Sequence, residues 1–358
     1  MVTKAARGER CPGRGLARGQ ETTMKKVLIP IALSLPVLAL GMGQATAKKN
    51  KNKPCVPVGT VTTVESYDAA MGELPEGVAV APNGDIFVTL APTGEVRKID
   101  PETGVGETLT TIDPGGGFLL GMAFDDDDLY VALASFVPET SGVWQIDTET
   151  GAAARVVDLQ GFPNDLTFDK WGNMYVTESI GGAVYRVEEG SNVAELWVQD
   201  DLLVGDVEVS PVPFPIGANG IVYDEKNDAV IVANSQVPAI IEIEDNCGTA
   251  GVLSVIAAGE DLRGADGLSL GKSGDVYVVS NFNSTLLRVD RYWGDLEVIA
   301  DGDDGLVFPA TAAFGQVKGV DRRSIYVTNF GFGAGDDAPV SLLKIKLDEK
   351  SEKFPAGT

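Results

Sequence analysis

Four oxygen-bearing side chains recur in one register of a repeated segment. Glu76, Asn164, Asn219 and Asp266 each hold the second position of a short alternating run: PEGVAV (75–80), PNDLTF (163–168), ANGIVY (218–223) and ADGLSL (265–270). Two carboxylates and two amide carbonyls are hard donors, and together they suit calcium, with water completing the coordination sphere. Another divalent cation is an alternative; magnesium is disfavoured because it demands compact octahedral geometry. The chain of 358 residues contains no histidine. That excludes a Ser-His-Asp or Cys-His mechanism and disfavours a typical zinc site, leaving carboxylates, amides, hydroxyls and a hard metal to carry any chemistry.

The element that must position these residues is the repeat itself. Two more runs, LLGMAF (119–124) and PATAAF (309–314), complete the series, so the second positions fall at 76, 120, 164, 219, 266 and 310, with spacings of 44, 44, 55, 47 and 44. A period near 44 with strand-like units indicates a propeller or a solenoid. Gly-centred turns such as Asn83-Gly84-Asp85, Trp171-Gly172-Asn173 and Ser273-Gly274-Asp275 lead into a second strand. Third and fourth strands follow, for example AVYRVE (183–188) and AELWVQ (194–199). The expected fold is all-β, a six-bladed β-propeller with four antiparallel strands per blade. The sixth unit lacks its fourth strand, and TVTTVE (60–65) is expected to supply it and so remove two exposed edges.

In a propeller the first strands line the central channel, so the six second positions form a ring at one mouth, with Leu120 and Ala310 as its apolar members. Turn preference accounts for the glycines of Glu76-Gly77, Asn219-Gly220 and Asp266-Gly267. It accounts less well for a potential ligand at four of the six ring positions, Glu among them.

Outside the repeat, Lys25-Lys26, an apolar run at 27–43 and Ala45-Thr46-Ala47 have the order of a secretory signal cleaved near Ala47. Pro30 and Pro36 break the run, which is short for a membrane span. The expected product is secreted or periplasmic, with no stable membrane association. The organisation is then an upstream extension (1–23), the signal (24–47), a Lys/Asn-rich segment (48–58), the propeller (59–348) and a charged tail (349–358). Residues 1–47 hold seven of the 28 basic and two of the 52 acidic residues, so the remainder has a net charge of −29. Such a surface argues against nucleic acid and anionic membrane as partners. Acidic runs at 125–128 and 301–304 read as solvated loops, with a peripheral calcium site as the alternative. Cys55 and Cys247 could form one disulfide in an oxidising compartment. Asn283-Ser284-Thr285 is a glycosylation sequon.

The segments PEGVAV, PNDLTFDKWGNMYVTES, IGANGIVY and GADGLSL resemble the senescence-marker-protein/gluconolactonase family and its relative diisopropyl fluorophosphatase. These are six-bladed, calcium-dependent propellers that hydrolyse lactones or organophosphates, and the likeness spans residues 75–347. It implies a channel calcium held by Glu76, Asn164, Asn219 and Asp266, a small lactone or ester-like substrate, and Asp266 as general base or nucleophile. Phe162-Pro163 stand where gluconolactonases often carry an Arg for sugar hydroxyls, and Phe118, Leu120 and Phe214 make the mouth more apolar. Loops between second and third strands should open on the ring side, which puts Glu178, Asn234 and Asn281 forward as substrate contacts. Two function classes follow: a secreted calcium-dependent hydrolase, or a non-catalytic propeller that binds a protein or glycan and uses calcium only structurally.

Overall fold

A computed structural model describes residues 57–317 and 321–351; within them the strands pair as six four-stranded antiparallel sheets. The upstream extension, the signal segment and Cys55 lie outside the described residues. The inner strands are Pro75–Val80, Phe118–Asp125, Pro163–Phe168, Ala218–Asp224, Ala265–Leu270 and Pro309–Phe314, and each packs on the inner strands of both neighbouring blades. The result is the expected six-bladed β-propeller. No helix among the described residues is long and apolar enough to cross a membrane.

Second strands such as Ile86–Leu90, Met174–Glu178 and Val276–Ser280 are buried along their whole length, because blades cover both of their faces. Outer strands such as Gly106–Thr111 and Ala194–Gln199 are half exposed. Phe87, Tyr175, Tyr277 and Tyr326 share one second-strand register and fill the space between blades. Tyr175 and Tyr326 satisfy their buried hydroxyls by donating to Asp245 and Asp321, each at 2.7 Å.

Ring closure follows the sequence expectation within one residue. Val61–Ser66 pairs antiparallel with Ser341–Lys346, Val61 opposite Ile345 and Ser66 opposite Ser341, as the outer strand of the last blade. Arg97 then ties this strand to the first blade through a 2.9 Å ion pair with Glu65. The start of the charged tail is also docked. Ser351 N–H donates to the Arg322 carbonyl at 2.9 Å, and Tyr277 donates to Glu349 at 3.2 Å.

Removing residues 60–65 should therefore destabilise the protein by several kcal/mol, at roughly 2–4 °C per kcal/mol for a chain of this size. A chain ending at Ser351 should melt close to the full-length protein. Equal melting temperatures for the two truncations would defeat the closure model.

Candidate functional site

Every inner strand loses register with its neighbour at the same point. Pairing skips from Pro75 to Val78, from Pro163 to Leu166, from Ala218 to Ile221 and from Ala265 to Leu268. The skipped pairs begin with Glu76, Asn164, Asn219 and Asp266. A bulge of this kind re-aims a side chain, and here all four line one cavity of about 110 Å³ at the channel mouth. Hydroxyls take up the freed backbone groups. Thr89 accepts from Gly77 N–H at 2.7 Å and donates to the Leu120 carbonyl of the next blade at 3.0 Å; Thr177 does the same between Asp165 and Asn219.

The glycines that follow the ring residues have a different cause from the turn preference read in the sequence. They lie inside the inner strands, and a Cβ at Gly77 would sit 2.3 Å from the Leu120 carbonyl oxygen, one at Gly220 2.1 Å from that of Asp266. Blade-to-blade contact, not turn geometry, selects them. In the third blade the same position is Asp165, a channel carboxylate that the repeat comparison passed over because four of its five equivalents are glycine.

The ring residues are 4–6% exposed, and their orientations are set from behind. Asn164 donates its amide to Ser179 at 3.0 Å, and Ser179 donates to the Ala218 carbonyl at 2.6 Å. Asn219 and Ser235 repeat the arrangement toward Ala265, at 2.9 and 2.7 Å. Because each serine proton is committed to a carbonyl, the serine can only accept from the asparagine, which leaves the amide oxygen free. Glu76 Oε2, Asn219 Oδ1 and Asn281 Oδ1 are buried with no hydrogen-bond donor. Buried acceptors without donors cost about 1–3 kcal/mol each, and a hard cation satisfies them. Among the described residues no group of three or more Asp, Glu, His or Cys is placed to hold a metal. A cation here must therefore draw on the amide oxygens.

Burial, then the negative charges of Asp266 and Asp165, push the Glu76 carboxyl well above the usual range. Burial and the charge of Asp165 do the same to Asp266, opposed by hydrogen bonds from Asn281 and Asn219. Burial raises Asp165 to about 7 although the Leu166 and Ile221 N–H groups donate to it. Asp165 also lines the wider vestibule, of about 710 Å³, at the other end of the channel.

The three residues expected at the substrate separate by register. Asn281 is a cavity residue, donating to Asp266 Oδ2 at 3.1 Å. Glu178 and Asn234 are each one position earlier on their strands, so strand alternation points them away from the axis. Glu178 accepts from the N–H groups of Phe162, Ile180 and Gly181 at 2.7–3.0 Å and thereby fixes the loop that carries Phe162. Asn234 donates to the Leu202 and Val204 carbonyls, at 2.9 Å each, and holds down the connection between the third and fourth blades. Neither lines the cavity; each holds a neighbouring loop in place. Cys247 is disulfide-bonded; Cys55 lies outside the described residues.

Aromatic rings wall the cavity. Phe118, Phe162 and Phe214 form one arc, with centroids 6.3 and 5.2 Å apart. Phe282, Phe308, Phe330 and Phe332 form a second, with neighbouring centroids 5.4–6.3 Å apart. Phe308 has φ 45°, a left-handed conformation costing about 1–3 kcal/mol for a bulky residue. Phe214 comes from the 55-residue unit, whose extra length forms the 200–217 connection over the cavity. The long spacing was the one sequence signal of that cover.

A narrow propeller channel with an oxygen-lined, aromatic-walled mouth is the class of site this chain carries. No protein-family model matches the chain, and no curated protein matches it in sequence. Solved structures do match in fold. A calcium-binding protein, regucalcin, from Agrobacterium tumefaciens superposes with a TM-score of 0.60 at 16% identity, over 80% of this chain and 94% of that one. A gluconolactonase from Xanthomonas campestris gives 0.61 at 15%, over 80% and 89%. Virginiamycin B lyase from Staphylococcus aureus gives 0.51 at 13%, over 79% and 88%. At these identities the likeness establishes the fold, which it shares with the expected family and with a lyase.

The pH response of folding tests the buried carboxyls. Their raised folded pKa values make the folded state hold protons that the unfolded chain releases near pH 4, so without a cation stability falls as pH rises from about 4 to 8. In chelator the melting temperature should drop across that window, and saturating calcium should flatten the drop. A chelated protein whose pH profile matches the calcium-loaded one would contradict the arrangement.

Proposed function

We propose that the chain is a secreted or periplasmic calcium-dependent hydrolase of the lactonase type, acting on a small lactone or ester-like substrate. The observation that carries this reading is the pair of orphaned oxygens, Glu76 Oε2 and Asn219 Oδ1, buried in the same cavity as Asp266. Glu76, Asn164, Asn219 and Asp266 are the residues that would hold the ion. When bound there, calcium would supply Lewis-acid polarisation of an acyl or phosphoryl oxygen.

Asp266 is the base or nucleophile. Its carboxylate is kept in one orientation by the 3.1 Å hydrogen bond from Asn281. Glu76 and the two asparagines orient and balance charge; the phenylalanine walls keep bulk water away from them. The fold-level likeness to a gluconolactonase and to a calcium-binding regucalcin agrees with this reading, although propellers host many unrelated functions. Secretion rests on the charged, apolar and small-residue order of residues 25–47.

Calcium at about 100 times its dissociation constant should stabilise the chelator-stripped protein by about 2.7 kcal/mol. Asp266→Ala should lose that stabilisation. Asp266→Asn, assayed at saturating calcium, should remain folded and lose turnover at least 10³-fold on whichever lactone, ester or organophosphate the native protein hydrolyses. Preserved turnover would remove Asp266 from the mechanism. Stabilisation by calcium with no turnover on the whole panel would favour the non-catalytic binding propeller.

A further inference from the structure

The cavity contains one polar group that the ring does not use. Gln236 lines it, is 8% exposed, and accepts from Ile216 N–H through Oε1 at 2.8 Å. That bond fixes the amide and leaves Nε2 buried with no acceptor among the described residues. The other orphaned polar atoms of the cavity are acceptors, suited to a cation; Gln236 Nε2 is a donor and repels one. A buried donor without an acceptor is suited to the carbonyl or ester oxygen of a ligand.

The remaining wall says what else that ligand is. Above the ring it is built from the two phenylalanine arcs with Leu120, Val212 and Ile216. Among the described residues no lysine or arginine lines the cavity; Arg263 stands outside it, its guanidinium 5.4 Å over the Phe282 ring. The Ser235 hydroxyl, also in the wall, is spent between Asn219 and Ala265. A sugar lactone would bring several hydroxyls against phenyl rings that offer them no partner.

On the lactonase reading of this site, we infer that its substrate is an apolar lactone or ester, with an alkyl or aryl group held between the phenylalanine arcs and its carbonyl oxygen accepting from Gln236 Nε2. Gln236 thereby sets specificity. It comes from the loop after Ser235 and is oriented by the 200–217 connection, so the longest repeat unit supplies both the cover and the orientation of the donor. No covalent step is assigned to Gln236.

The test uses the calcium-loaded chain with δ-decalactone, δ-gluconolactone and phenyl acetate, following both hydrolysis and calorimetric binding. The expected result is a kcat/KM for δ-decalactone at least 100-fold above that for δ-gluconolactone. Gln236→Glu retains an oxygen for Ile216 N–H but replaces the donor; it should lower kcat/KM for δ-decalactone at least tenfold with calcium stabilisation intact. Phe332→Ala, which leaves Gln236 untouched, should narrow the preference for the apolar lactone if Gln236→Glu does not fold. Comparable turnover of the sugar lactone, or a Gln236→Glu enzyme with unchanged kcat/KM, would overturn the inference while leaving the lactonase reading in place. If nothing is hydrolysed, the lactonase reading fails and binding decides. Calorimetric binding of δ-decalactone but not δ-gluconolactone, weakened by Gln236→Glu, would still support the assigned ligand class, and no binding of δ-decalactone would overturn it.

Discussion

The close approach of inner strands around the channel is the constraint on which the site depends. The strands come near enough that a methyl group on Gly77 or Gly220 would strike the neighbouring blade's carbonyl. At the same point the two strands of each inner hairpin lose register, and the bulge turns Glu76, Asn164, Asn219 and Asp266 into the channel mouth. The bulge thus determines where the side chains point, and tight packing how little water reaches them.

Electrostatics follow from the same geometry. Glu76, Asp165 and Asp266 are buried near one another, and each carboxyl is held above its ordinary range. Compensation from the protein is partial. Asn281 and backbone N–H groups donate to Asp266 and Asp165, while among the described residues no cationic side chain lines the mouth cavity. The serine–carbonyl relays behind Asn164 and Asn219 each take one amide proton and so leave the amide oxygen available. A hard divalent cation answers all of these features together, since it needs oxygen ligands and lowers carboxyl pKa values.

Around this polar floor the structure is apolar, and the contrast separates the fold from the use made of it. The same propeller is found in a gluconolactonase, a regucalcin and a virginiamycin B lyase, so strand order decides little about chemistry. What is particular to this chain comes from the loops. Four phenylalanines arise from the connections around 282–332, and Phe214 and Ile216 from the long 200–217 segment. Glu178 and Asn234 hold Phe162 and the long connection in place through backbone hydrogen bonds.

The sequence alone determined the six-bladed architecture, the closing strand and the four ring residues, because a period near 44 and alternation within each strand are local properties of the chain. It also placed Asn281 at the mouth, while Glu178 and Asn234 fall a single register position away, which strand alternation converts into the opposite face. Tertiary structure alone decided the rest. Asp165 stood at a position where most of its equivalents are glycine, and only the packed channel makes it a neighbour of Glu76 and Asp266. Gln236 and the phenylalanines of the second arc lie in loops without periodicity, so their convergence depends on how the blades close. Distances across a ring join residues as far apart in sequence as Glu76 and Phe332, and a repeat pattern orders such residues without saying what fills the space between them.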